Sequence, residues 1–121
     1  MCRSFALLVA AVLLLSAPLA AWATGSAVNN IPAVSIADLP SETRATLARI
    51  KNGGPFPYKR DGAVFNNFER RVPVSKRGYY REYTVPTPGV RDRGARRIIA
   101  GRKGELYYTG DHYRTFRRIQ E

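Results

Sequence analysis

Tyr79-Tyr80-Arg81-Glu82-Tyr83-Thr84-Val85 is dense in tyrosine, threonine and valine, and it opens a series of such runs. Arg96 to Gly101 follows with Ile98-Ile99 at its centre. Glu105 to Thr109 comes after a Gly101-Arg102-Lys103-Gly104 turn, and Tyr113 to Ile119 after a Gly110-Asp111 turn. Runs of β-branched and aromatic residues punctuated by glycine turns predict strands. Short turns between the last three predict an antiparallel meander. Pro86-Thr87-Pro88-Gly89 forces a loop between the first two.

Upstream of this stretch the period changes. Leu39, Thr43, Leu47 and Ile50 recur at helical spacing, which predicts one helix of about three turns. Asp38 or Ser41 suits its start, Pro40 fits only a first turn, and Gly53-Gly54 ends it. Gly54-Pro55-Phe56-Pro57-Tyr58 reads as a packed turn, and Val64 to Phe68 has aromatics without a clean period. Residues 24–36 read as a flexible leader or a first extended segment. The expected class is α+β, one N-terminal helix packed on a single antiparallel sheet, within a domain spanning 37–121.

The first 23 residues read as a cleaved secretory signal. Met1-Cys2-Arg3-Ser4 is a short basic start, Phe5 to Leu15 is apolar, and Ala21-Trp22-Ala23 is a small-x-small cleavage site. An uncleaved N-terminal anchor is the alternative, but the apolar run is short for a hydrocarbon layer of about 30 Å. Removing residues 1–23 from the 121-residue chain takes away its only cysteine and one basic residue. That leaves 98 residues with 19 basic and 9 acidic side chains, a net charge of +10. Such a chain makes no internal disulfide, has no cysteine nucleophile and, with a single histidine, lacks the ligands of a Cys/His metal cluster. The full chain's 16 Arg against 4 Lys point to an anionic partner, because the guanidinium fork matches phosphate geometry.

Period-two geometry puts Tyr80, Glu82 and Thr84 on one face of their strand, and Arg97 with Ile99 on one face of the next. His112 stands at the turn entering the last strand. A carboxylate that takes a proton, an imidazolium that gives one and guanidiniums that hold an anion can therefore converge at one end of the sheet. Each has an ordinary reading too. Glu82 can pair with a cross-strand arginine, the lone histidine can be a hydrogen-bonding residue, and Arg91, Arg93, Arg96 and Arg97 can form a solvated basic edge. From the residues alone the chain reads as a secreted basic domain acting on, or merely binding, an anionic polymer.

Four collinear blocks sharpen this. Gly54 to Tyr58, Gly78 to Val85, Arg93 to Ile99 and Tyr107 to Phe116 together resemble the small secreted microbial guanyl-specific ribonucleases, the barnase and streptomycete extracellular type. The resemblance runs from about Leu39 to Ile119. It implies cleavage of single-stranded RNA on the 3′ side of guanosine without metal or other cofactor, through a 2′,3′-cyclic phosphate that is then hydrolysed. It further implies that Glu82 is the general base, His112 the general acid, and Arg93 and Arg97 the phosphate-holding cations, with Tyr113 adding a hydroxyl to the phosphate. Guanine selection maps onto Phe65, Asn66, Asn67 and Glu69, with Glu69 facing the N1–H and amine of the base and Phe65 supporting it. The alternative for Glu69 is a salt bridge with Arg70 or Arg71. RNA is the implied partner, alongside a barstar-like protein inhibitor, and the molecule is expected to be a monomer away from the membrane once the signal is removed. Two features depart from the family pattern: Phe68 stands where many bacterial members have Arg, and the disulfide of the streptomycete members is missing. The competing reading is a secreted, non-catalytic binder of RNA or other polyanions.

Overall fold

The computed structural model describes residues 30–121; the expected signal segment lies outside them. Strand β1 (Ala33–Ser35) leads through a 3-10 turn (Ile36–Asp38) to helix α1 (Glu42–Asn52), and the rest is sheet: β2 (Ala63–Phe65), β3 (Tyr80–Thr84), β4 (Arg97–Gly101), β5 (Leu106–Thr109) and β6 (Arg117–Gln120). The six strands lie in the order β1-β6-β5-β4-β3-β2. Every neighbouring pair is antiparallel except β1 with β6, which is parallel. The α+β class holds, with this one parallel edge added.

Three local readings are refined. Of the two offered for 24–36, a flexible leader or a first extended segment, the described residues take the extended one, with strand from Ala33: Val34 is buried between exposed neighbours, opposite Ile119, and Arg118 N–H donates to the Pro32 carbonyl at 2.8 Å. Strand β2, unmarked by any period, is fixed by its pairing of Ala63 with Glu82. The last strand starts at Arg117 instead of Tyr113, because a turn centred on Asp111 claims the preceding backbone donors. The helix begins as expected in position, but the Ser41 side chain makes no capping bond; it is Ser35 that caps, at the 3-10 turn. Gly53 ends the helix in the left-handed region (φ 75°) that side chains resist.

Alternation along the strands divides the core in two. Val85, Ile98, Leu106, Tyr108 and Ile119 pack on the side of Leu47 in α1, while Val72, Tyr80, Ile99, Tyr107 and Phe116 form a second cluster on the opposite face. Consecutive Ile98 and Ile99 serve one cluster each, each contributing roughly 1.5–3 kcal/mol by burial. Thr46 of α1 donates its hydroxyl to the Thr84 carbonyl at 3.1 Å, tying helix to β3. The helix thus covers one face and leaves the ends of β3, β4 and β5 free on the other for polar groups.

Candidate active site

Pairing of Thr84 with Arg97 and Arg97 with Thr109 lines three polar side chains across the face turned from the helix, with Glu82 one step along β3. Glu82 is only 5% exposed. A buried carboxylate is tolerable only with charge and hydrogen-bond partners, and it has them. Arg93 Nη2 lies 3.3 Å from Oε1, Tyr113 donates its hydroxyl to Oε2 at 3.1 Å, and Arg60 Nη2 stands 3.8 Å away. Arg93 is steadied by donating from Nε to the Thr84 hydroxyl at 3.1 Å. Burial and then the Glu82 charge push the Tyr113 phenol up, against the lowering effect of Arg97, so it remains a proton donor through neutral pH.

Arg97 sits differently from the expectation that it grips phosphate directly. It is 2% exposed, donates from Nη1 to the Arg96 carbonyl at 2.8 Å and from Nε to the Tyr113 hydroxyl at 3.2 Å, and does not line the cavity. Its charge reaches the site from behind, through Tyr113.

His112 is exposed at the cavity, and both it and Tyr113 have left-handed backbone, φ 56° and 69°. Non-glycine residues hold that conformation only where the surroundings over-determine it. Here Asp111 does so. Its carboxylate accepts from the Thr109 hydroxyl (2.9 Å), the Arg114 and Thr115 N–H groups (3.1 and 2.9 Å) and the Thr115 hydroxyl (2.6 Å). Burial alone raises the Asp111 carboxyl, but the bonds from Thr115, Thr109 and Arg114 outweigh it and bring it down to about 2. The His112 N–H in turn donates to the Ala95 carbonyl at 3.1 Å, joining this loop to the one that carries Arg93. In that second loop Gly94 has φ 63°, and a Cβ there would fall 2.7 Å from the Thr87 hydroxyl, so the backbone approach that sets Arg93 requires glycine.

Phe65 to Glu69 forms the opposite wall. The Phe65 ring lies nearly parallel to Tyr113, with centroids 5.6 Å apart. Asn67 (φ 53°) turns its side chain inward, donating to the Val72 carbonyl at 2.7 Å and accepting from the Val72 N–H at 3.2 Å. The side chain of Asn67 therefore shapes the loop, leaving its contact with a ligand to the backbone. Glu69 is paired, as one reading allowed, with Arg71 (2.6 Å), whose Nη1 also donates to the Arg114 carbonyl at 2.5 Å.

These walls enclose an open cavity of about 540 Å³ that brings together Phe65, Asn66, Asn67, Glu69, Glu82, Arg93, His112 and Tyr113. Arg60 and Arg71 line it too; Arg60 escaped the sequence reading, which named Arg71 only as a partner for Glu69. Arg60 lies in an aperiodic turn, and only the unforeseen pairing of β2 with β3 carries it to Glu82. A carboxylate and an imidazole share this space with three guanidiniums, a set able to take one proton, give another and hold an anion between.

A ribonuclease family model matches residues 22–120. Guanyl-specific ribonuclease Sa3 of Kitasatospora aureofaciens is 52% identical over 95 residues, covering 78% of this chain and 67% of the relative. Guanyl-specific ribonuclease St of Saccharopolyspora erythraea is 54% identical over 84 residues, 69% of this chain and 83% of the relative. A crystal structure of ribonuclease Sa2 with guanosine-2′-cyclophosphate superposes with a TM-score of 0.71 at 50% identity, covering 74% of this chain and 96% of that one.

Proposed function

Since the chain belongs to the microbial guanyl-specific ribonucleases, we propose that it is an endoribonuclease cleaving single-stranded RNA on the 3′ side of guanosine. In the first step Glu82 takes the proton of the ribose 2′-hydroxyl, and the 2′-oxygen attacks phosphorus. The bond to the 5′-oxygen breaks, and that oxygen leaves with a proton from His112, producing a 2′,3′-cyclic phosphate. Water then attacks the cyclic ester with the two roles exchanged, yielding a 3′-phosphate. Arg93 offsets charge gathering on the phosphoryl oxygens, and Arg97 adds its field through Tyr113.

The observation carrying this reading is Glu82, buried yet opening on a shared cavity with His112, Arg93 and the Tyr113 hydroxyl. A pure polyanion binder gains nothing from a buried carboxylate at the centre of its basic surface. Base choice rests on Glu69, whose carboxylate accepts from the N1–H and amine of guanine, a pair of donors that adenine does not offer in that arrangement. Loop N–H groups serve O6, and Phe65 supports the ring. The same reading has the enzyme exported behind residues 1–23, working as a monomer on RNA, with a barstar-like inhibitor as its protein partner.

The test is an oligonucleotide with a single internal guanosine, incubated with the protein and EDTA. We expect one cut, with a transient 2′,3′-cyclic end maturing to a 3′-phosphate on the guanosine fragment. Retarded but intact RNA identifies a binder instead.

A further inference from the structure

A second hollow of about 430 Å³ adjoins the first across the wall Phe65 to Phe68 and runs on to Val74, Lys76, Arg77 and Tyr80. Two observations set it apart from ordinary surface. Phe68 is 87% exposed and Val74 66%, two of the three exposed large hydrophobic side chains among the described residues, and both line this hollow. Its charged lining is Arg70, Lys76 and Arg77 with no acidic residue, and among the described residues none of the three cations forms an ion pair. An unpaired aromatic face beside unneutralised cations matches the two surfaces of a nucleotide, base and phosphate.

Position fixes which nucleotide. Glu82 and Thr84, with the Arg93 they hold, mark the scissile-phosphate end of β3, whereas Tyr80 at the other end of the strand borders the second hollow. Two residue steps along the strand carry Tyr80 to Glu82, about 7 Å. The guanine wall stands between the two hollows. A guanosine seated there with its 3′-phosphate toward Arg93 therefore sends its 5′ side over Phe68. We propose that this hollow is a subsite for the nucleotide immediately 5′ of the guanosine, its base stacked on Phe68 against Val74 and its phosphate held by Lys76, Arg77 and Arg70. The proposal rests on the endoribonuclease reading and adds a contact outside base choice and chemistry. Stacking accepts any base, so the subsite lends affinity without sequence.

Cleavage of a guanosine-adenosine dinucleotide is compared with that of the same dinucleotide extended by one 5′-adenosine. The extension should raise kcat/KM about tenfold, chiefly through KM, within the range of a single base–aromatic stack. Phe68→Ala, at a position exposed enough to leave the melting temperature alone, should abolish most of that gain, read as the ratio of the two substrates so that any effect of Phe68 on the first cavity, which it also lines, cancels. Lys76→Ala/Arg77→Ala should remove the rest and flatten its salt dependence. Equal kcat/KM for both substrates, as expected of a surface kept for a protein partner, overturns the subsite. So does a gain that survives both variants. Titration with guanosine and with adenylyl-3′,5′-guanosine, neither of which has a phosphodiester on the 3′ side of guanosine, reads the subsite independently of guanosine-directed cleavage. Tighter binding of the dinucleotide, lost in Phe68→Ala, supports the proposal even if no RNA is cut; equal affinities overturn it even if RNA is cut.

Discussion

In the free protein the Glu69 carboxylate is held by Arg71 through one oxygen, so in the proposed complex a guanine base has to share it with a guanidinium. Both side chains are well exposed, and such a pair contributes only about 0.2–1 kcal/mol. Rearranging it on binding therefore costs little. Glu69→Gln leaves the fold nearly as stable and puts an NH₂ against guanine's donors. A site built to accept hydrogen bonds loses far more from that mismatch than from a lost methyl group, so kcat/KM on guanine dinucleotides should fall by roughly 10²-fold or more. Slow cleavage after adenine should stay nearly as it was, because Glu82, Arg93 and His112 are untouched. Parallel kinetics on the two dinucleotides, with a melting curve, check this. Equal losses on both, with a lowered melting temperature, would mean that Glu69 serves the fold through Arg71 and not the base. The sequence already offered both partners for Glu69. What it lacked was any sign that Arg71 reaches on to the Arg114 carbonyl and so joins the base-reading loop to the loop of His112.

That loop, Thr109 to Thr115, shows how a few side chains override strand propensity. Tyr113-Arg114-Thr115-Phe116 has the composition of a strand, yet the Asp111 carboxylate takes the Arg114 and Thr115 N–H groups and β6 waits until Arg117. The displaced residues acquire a role in exchange, since His112 and Tyr113 are held in left-handed backbone beside Glu82. Asp111→Ala should lower kcat roughly tenfold or more by releasing His112 from its orientation, with guanosine affinity little changed. Restoration of kcat by Asp111→Asn, which keeps acceptor geometry at one oxygen, would separate positioning from simple loss of stability. The same carboxyl gives a pH signature. Its folded value of about 2 lies below the unfolded value of about 3.9. The stabilisation is thus complete above about pH 4 and drains away as pH falls toward 2, by about 1 kcal/mol once solvent screening is allowed for. Urea melts of wild type and Asp111→Asn should converge across that window; a constant difference would show that the charge contributes nothing. At this scale the sequence was legible wherever a period ran long enough. The helix stripe and the strands β3, β4 and β5 had enough residues to declare themselves. β1 and β2, three residues each, are held by register with longer partners and carry no pattern of their own.

Across the whole molecule the charge excess is visible in the composition, but its direction is not. Every acidic residue among those described except Asp38 is engaged internally. Glu42, Glu69, Glu82 and Glu121 pair with basic side chains, Glu105 accepts from Tyr79, and Asp61, Asp92 and Asp111 accept from backbone N–H groups. The acids thereby brace the loops, and cations both paired and unpaired are left to line the cavities. Arg60, Arg71 and Arg93 line the first, while Arg70, Lys76 and Arg77 line the second. Phosphate contacts of this kind supply affinity by releasing counterions, whereas on the proposed reading the loop around Glu69 reads the base through hydrogen bonds that salt barely screens. Affinity and base choice should therefore separate. For an oligonucleotide long enough to cover both cavities, engaging about three phosphates, log kcat/KM below saturation should fall against log salt with a slope of about −2, roughly −0.7 per phosphate. Over the same salt range the ratio of guanine to adenine cleavage should hold steady. The measurement is a salt series on two oligonucleotides differing only at the base 5′ to the cut. A guanine preference that decays in step with affinity would mean that base and backbone are read by the same charges, and the division of labour between Glu69 and the arginines would be wrong.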